Sequence, residues 1–167
     1  MAVNLSARQL YDRALEDTVT SVLKESGLPA AQLELEITET AAMRDPREAA
    51  RILRALKARG VRIALDDFGT GYSSLSHLVG LPIATVKIDR SFVRDLRAAP
   101  ERAAVVAAVI ALGHRLDLTV VAEGVETAQE CAFLLDEGCD AIQGFLLSRP
   151  LPVAECDRLL AAGQIIL

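Results

Sequence analysis

The chain is poor in the features that mark several large protein classes. It has three cysteines in 167 residues. Cys131, Cys139 and Cys156 form no close pair and cannot all pair with one another, so no disulfide framework is expected and a reducing cytoplasm is the natural setting. Basic residues are not in excess: 18 Lys and Arg stand against 23 Asp and Glu, a formal net charge of −5. A protein that coats a nucleic acid polymer needs the opposite balance to release counterions, whereas a small phosphate ligand held through metal ions is compatible with it. No apolar run approaches the length of a membrane span and no signal-peptide pattern follows Met1, so no membrane contact is expected from this segment. Low-complexity tracts and linkers are also missing. What remains is ordinary globular usage, 51% hydrophobic and 25% charged, in a length that suits one domain spanning residues 1–167.

Hydrophobic periodicity alternates short strands with amphipathic helices. Strands are predicted over Ala2–Leu5, Leu33–Thr38, Val61–Leu65, Ala84–Ile88, Leu118–Ala122 and Ala141–Leu146. Helices are predicted from about Arg8 to Glu25, from Asp45-Pro46 to near Gly60, around Ser74 to Val79, from Pro100 to about Arg115, over Thr127–Glu137 and over Val153–Ala162. Pro46 behind Asp45 is an N-cap followed by proline at the first helical position. Strict alternation argues for an α/β fold with a parallel sheet and outer helices. Two architectures fit, an open doubly wound sheet and part of a TIM-like (β/α) barrel. A full barrel takes roughly 250 residues, so the chain would hold about six of eight strand-helix units.

Successive strand side chains face opposite sides of the sheet. Val3 and Leu5 flank Asn4, Leu35 and Ile37 flank Glu36, and Val86 and Ile88 flank Lys87. Asp66 and Glu123 end strands whose other face is apolar. If the apolar faces pack on helices, Asn4, Glu36, Asp66, Lys87 and Glu123 share the inner face at or near the C-terminal strand ends, where such folds build active sites. Any one of them could be a satisfied buried ion; five at equivalent places point to a common site. Crowded carboxylates need neutralising cations. The oxygen-rich set Asn4, Glu36, Asp66, Asp67 and Glu123 holds no histidine or cysteine, which points to Mg²⁺ or Mn²⁺ rather than zinc. His77 and His114 read as structural or surface residues and the cysteines as small core residues. In Asp66-Asp67-Phe68-Gly69-Thr70-Gly71-Tyr72-Ser73-Ser74, adjacent carboxylates could bridge two metals and the glycines allow a mobile loop. A tight turn capped by Ser73 or Ser74 is the plainer alternative. Asp67-Phe68-Gly69 does not make a kinase, since no glycine-rich phosphate loop or His-Arg-Asp loop accompanies it.

Together, Val3-Asn4-Leu5-Ser6, Glu36-Ile37-Thr38-Glu39, the Asp66–Ser74 loop, Val86-Lys87-Ile88-Asp89, Ala122-Glu123-Gly124-Val125-Glu126-Thr127 and Gln143-Gly144-Phe145 resemble the EAL family, the cyclic-di-GMP phosphodiesterases of bacterial signalling. The resemblance implies a TIM-like barrel with two divalent cations, Mg²⁺ or Mn²⁺, at its C-terminal mouth. Asn4, Glu36 and Asp66 would bind one metal, and Asp66 with Asp67 the other, supported by Glu123. Lys87 would contact the attacking water or the developing phosphoryl charge. Glu39 would anchor the glycine-containing loop, and Gln143 and Asp89 would support substrate and loop. The implied reaction opens one phosphodiester of cyclic-di-GMP to the linear dinucleotide pGpG.

The Glu-Ala-Leu signature itself is absent, and the family carries it on a strand upstream of the one that holds Asn4. The expectation is a fragment, truncated at the N-terminus and impaired as an enzyme. Two open barrel edges would favour a homo-oligomer or strand exchange. A non-catalytic cyclic-di-GMP receptor or protein-interaction module is the second reading. A flavodoxin-like sheet is the third.

Overall fold

Six strands lie side by side and parallel in chain order among the described residues: β1 (Ala2–Leu5), β2 (Glu34–Thr38), β3 (Arg62–Phe68), β4 (Thr85–Ile88), β5 (Thr119–Glu123) and β6 (Ala141–Gln143). The structure, a computed structural model, describes residues 1–70, 80–94, 96 and 99–161. A doubly wound sheet reverses its strand order at a switch point. This one never does; it curls into a half-barrel, which removes the flavodoxin-like reading.

Between the strands run α1 (Ala7–Leu10), α2 (Leu15–Ser26), α3 (Glu39–Met43), α4 (Pro46–Ala58), α5 (Arg90–Val93), α6 (Pro100–Arg115) and α7 (Ala128–Asp136), with α8 (Val153–Ala161) after β6. The apolar strand face packs on them. Leu35, Ile37, Ile63, Leu65, Val86, Ile88, Val120 and Ala122 are buried with Leu53 and Leu56 of α4, Val106 and Ile110 of α6 and Leu134 of α7. Full burial of each large side chain contributes about 1.5–3 kcal/mol. Val3, on the edge strand β1, keeps 42% of its surface exposed. The start of α4 follows from its sequence. Asp45 Oδ1 accepts the Glu48 N–H at 3.1 Å ahead of Pro46, a cap that contributes about 1 kcal/mol.

The local expectations fail where side chains compete with the backbone. The helix predicted over residues 8–25 is two helices, because Asp12 Oδ1 takes the Ala14 N–H at 2.9 Å and interrupts the ladder. β3 continues past Leu65 to Phe68, and β6 stops at Gln143 rather than at Leu146. Two single-turn helices, α3 and α5, lie where none was predicted; Thr38 and Asp89 cap them through their side chains. Of the cysteines only Cys139 is buried, whereas Cys131 is half-buried and Cys156 exposed. The helix predicted around Ser74 to Val79, the loop residues Gly71 to Ser74 and His77 lie outside the described residues.

Candidate active site

Strand register decides which side chains share a face. Asn4 is opposite Glu36 and Glu36 opposite Ala64; Thr85 is opposite Ala64 and Thr119, and Glu123 is opposite Gln143. With a period of two, Asn4, Glu36, Asp66, Lys87, Glu123 and Gln143 then all point into the curl. The irregularity is at β3. Its register to β4 shifts between Leu65, opposite Val86, and Phe68, opposite Ile88. Asp66 and Asp67 therefore both face the single residue Lys87, a β-bulge that brings two adjacent carboxylates to one mouth. Asp67 adopts φ 56°, left-handed backbone that aspartate tolerates better than most residues. Its N–H donates to Asp66 Oδ1 at 3.0 Å, which orients that carboxylate.

At the centre of the cluster is Lys87. Its Nζ lies 2.8 Å from Glu36 Oε1, 2.5 Å from Glu123 Oε1 and 3.8 Å from Asp66 Oδ1. Glu36 belongs to β2 and Lys87 to β4, so the contact spans the curl over β3. Lys87 is 5% exposed and Glu36 8%. Burial disfavours the lysine's charge, but hydrogen bonds to Glu123 and Glu36 outweigh it and hold the ammonium above the usual lysine range. Burial pushes the Glu123 carboxyl up; Lys87 works against that shift, and Asp66 and Glu36 add to it. Asp67 is also pushed up, by burial and then by Asp66 and Asp89. Both carboxyl shifts start from burial and are enlarged by neighbouring carboxylates. Three carboxylates share the single ammonium, which leaves a surplus of negative charge at the mouth.

The surplus also bears on a metal. Oxygen-only donors with uncompensated charge fit a hard divalent cation by their chemistry. Among the described residues, however, no three His, Cys, Asp or Glu side chains are grouped to hold one; the ammonium of Lys87 is what joins the carboxylates.

Beside the cluster opens a pocket of about 330 Å³, lined in part by Asp67, Asp89, Glu123, Glu126, Gln143 and Phe145. Asp89 caps α5 by accepting the Ser91 N–H at 2.9 Å. Glu39, 2% exposed, lies outside this pocket, and its Oε2 accepts the Gly69 N–H at 2.9 Å at the start of the glycine loop. Asn4 is exposed on the edge strand, next to Glu36 in register. His114 sits at the far end of α6, 3.0 Å from Asp140. Sequence reasoning assigned no role to Arg90, Glu126 or Phe145, which also line the pocket. The available signal was their position just after Asp89, Glu123 and Gln143 at strand ends.

The family model described as EAL domain matches residues 1–150. The bifunctional diguanylate cyclase/cyclic di-GMP phosphodiesterase MucR of Pseudomonas aeruginosa is 48% identical over 162 residues, 97% of this chain and 23% of MucR. The cyclic di-GMP phosphodiesterase NbdA of the same species is 45% identical over 162 residues, 97% of this chain and 21% of NbdA. In structure, the MucR phosphodiesterase in its c-di-GMP complex superposes with a TM-score of 0.90 at 48% identity, covering 93% of this chain and 63% of that one. A calcium/cyclic-di-GMP complex of Klebsiella pneumoniae BlrP1 gives 0.84 at 38% identity, covering 89% and 38%. The chain thus spans about a fifth to a quarter of the length of these curated relatives. With the match over residues 1–150 and the shared half-barrel, the chain belongs to the EAL-domain family.

Proposed function

We propose that this chain carries most of a cyclic-di-GMP phosphodiesterase site, which opens one phosphodiester to give pGpG. The observation that carries the reading is the Lys87 ammonium joined to Glu36, Asp66 and Glu123 from three other strands of an EAL-family half-barrel. Asn4, Glu36, Asp66, Asp67 and Glu123 would hold two divalent cations, Mg²⁺ or Mn²⁺. When bound, such ions lower the pKa of water and offset charge at phosphorus. The chain's own groups do the rest. Lys87 offers N–H donors and positive charge to a phosphoryl oxygen or the attacking water. As the water oxygen bonds to phosphorus, the bond from phosphorus to one ribose oxygen breaks. Glu123, with its raised proton affinity, would take the water proton, and the departing oxygen acquires one. Asp66 fixes the lysine's direction, Glu39 holds the glycine loop, and Asp89 and Gln143 support the substrate.

Chromatography of cyclic-di-GMP incubated with the chain and Mg²⁺ or Mn²⁺ tests this. Asp66→Ala is expected to slow pGpG formation by more than about a hundredfold, beyond the effect usual for a residue that only supports a ligand. His114→Ala, at the other end of the sheet, should keep its rate. An Asp66→Ala chain as fast as the parent ends the assignment. Binding without product would favour the receptor reading, which the lysine-bridged carboxylates support. We also place the domain in the cytoplasm, in line with no described helix being long and apolar enough to cross a membrane. The edges of β1 and β6 would pair between copies; sedimentation showing only monomers would remove that element.

A further inference from the structure

We infer that Arg90 binds the non-reacting phosphodiester of the cyclic dinucleotide, an assignment that rests on the functional reading above. Arg90 follows Asp89 and lines the same pocket as Asp67, Glu123, Glu126 and Gln143. It is the one cation among those lining residues, on a wall otherwise rich in carboxylate. No hydrogen bond or ion pair engages its exposed guanidinium among the described residues. Gly124 explains why this side chain stays in place without a partner. At φ 67° it has no Cβ where one would overlap the Arg90 Cβ, and the Arg90 Cδ is 3.6 Å from that point. The aliphatic stem therefore lies flat on the backbone next to Glu123, and the guanidinium is left free at the pocket.

The charge balance names the ligand. A cyclic dinucleotide carries two phosphodiester charges, and one is met where bond breaking occurs, at Lys87. The other enters a pocket edged by Asp67, Asp89, Glu123 and Glu126, where unscreened repulsion would expel it. A planar guanidinium can pair two phosphate oxygens at once, and Arg90 is the residue available to do so. The fixed stem reduces the rotamer freedom lost on binding.

Calorimetry of the 167-residue chain with cyclic-di-GMP decides the matter, in the presence of calcium, the ion found with this ligand in the BlrP1 complex. Arg90→Ala is expected to bind about ten- to hundredfold more weakly, with Arg90→Lys in between. Affinity should fall less steeply with salt in Arg90→Ala than in the parent. The preference for cyclic-di-GMP over cyclic-di-AMP should not change, because the lost contact is to phosphate. Binding by Arg90→Ala within twofold of the parent overturns the assignment. Loss of the base preference overturns it too, by moving Arg90 to a guanine edge. If the parent chain itself binds no cyclic-di-GMP, the functional reading fails, and the Arg90 assignment falls with it.

Discussion

Lys87→Met is expected to lower the free energy of unfolding at pH 7.5 by about 3–5 kcal/mol, the usual cost of removing one partner from a buried ion pair. Methionine matches the lysine stem in length, so the loss reflects charge rather than volume. Without the ammonium, Glu36, Asp66 and Glu123 face one another with no cation between them. The Glu123 carboxyl, already pushed up by burial, then loses the lysine that opposed that shift, so the folded chain binds more protons than the unfolded chain. Stability of the variant therefore increases as pH falls from 7.5 towards 5, and its deficit against the parent shrinks. In the parent the sign is that of a raised lysine. The Lys87 contribution is complete below the ordinary lysine pKa of about 10.4 and is lost only as pH rises past the higher folded value. A divalent cation should restore more stability to Lys87→Met than it adds to the parent, since it enters a site with more unpaired charge. Urea unfolding followed by circular dichroism, at two pH values and with and without Mg²⁺, reads all three effects. A variant with the parental midpoint at both pH values would mean that the ammonium is not what stabilises these carboxylates.

Gly144→Ala is the second large effect. A Cβ at residue 144 would overlap backbone atoms of Val125, which a rotamer change cannot relieve. The segment is also pinned by hydrogen bonds: the Val125 N–H donates to the Gln143 carbonyl at 3.1 Å, and the Leu146 N–H to the Val125 carbonyl at 3.0 Å. Overpacking costs about 1–3 kcal/mol where side chains can shift, and a backbone obstacle puts this substitution at the top of that range. The expected loss is about 3 kcal/mol in urea unfolding, with the wall of the pocket that holds Glu123 and Gln143 displaced. An alanine variant within about 0.5 kcal/mol of the parent, the range of an ordinary surface change, would show that β6 moves freely away from β5.

How much of this was legible beforehand differs from element to element. Glu36 and Lys87 could be placed on one face because each sits between two apolar residues in a strand of period two. The α4 helix could be started at Asp45-Pro46 because capping is a local interaction. The break at Asp12 could not, since aspartate near the start of a helical pattern serves equally as a cap or as an interruption. The extension of β3 to Phe68 was hidden because Asp66 and Asp67 read as the end of an apolar run. Arg90 drew no attention because its significance depends on Gly124, thirty-four residues on, having no side chain.

By its order of residues alone the chain determined the alternation of strands and helices, the polar inner face and the family likeness, because each is encoded in periodicity, capping or contiguous motifs. Only the tertiary structure decided that the sheet curls far enough for Lys87 to reach Glu36 across an intervening strand. It also decided that a bulge turns both Asp66 and Asp67 toward that lysine, and that Arg90 rests on Gly124 with its charge unspent. These are contacts between groups distant along the chain, set by strand register and sheet curvature, and no local pattern carries that information.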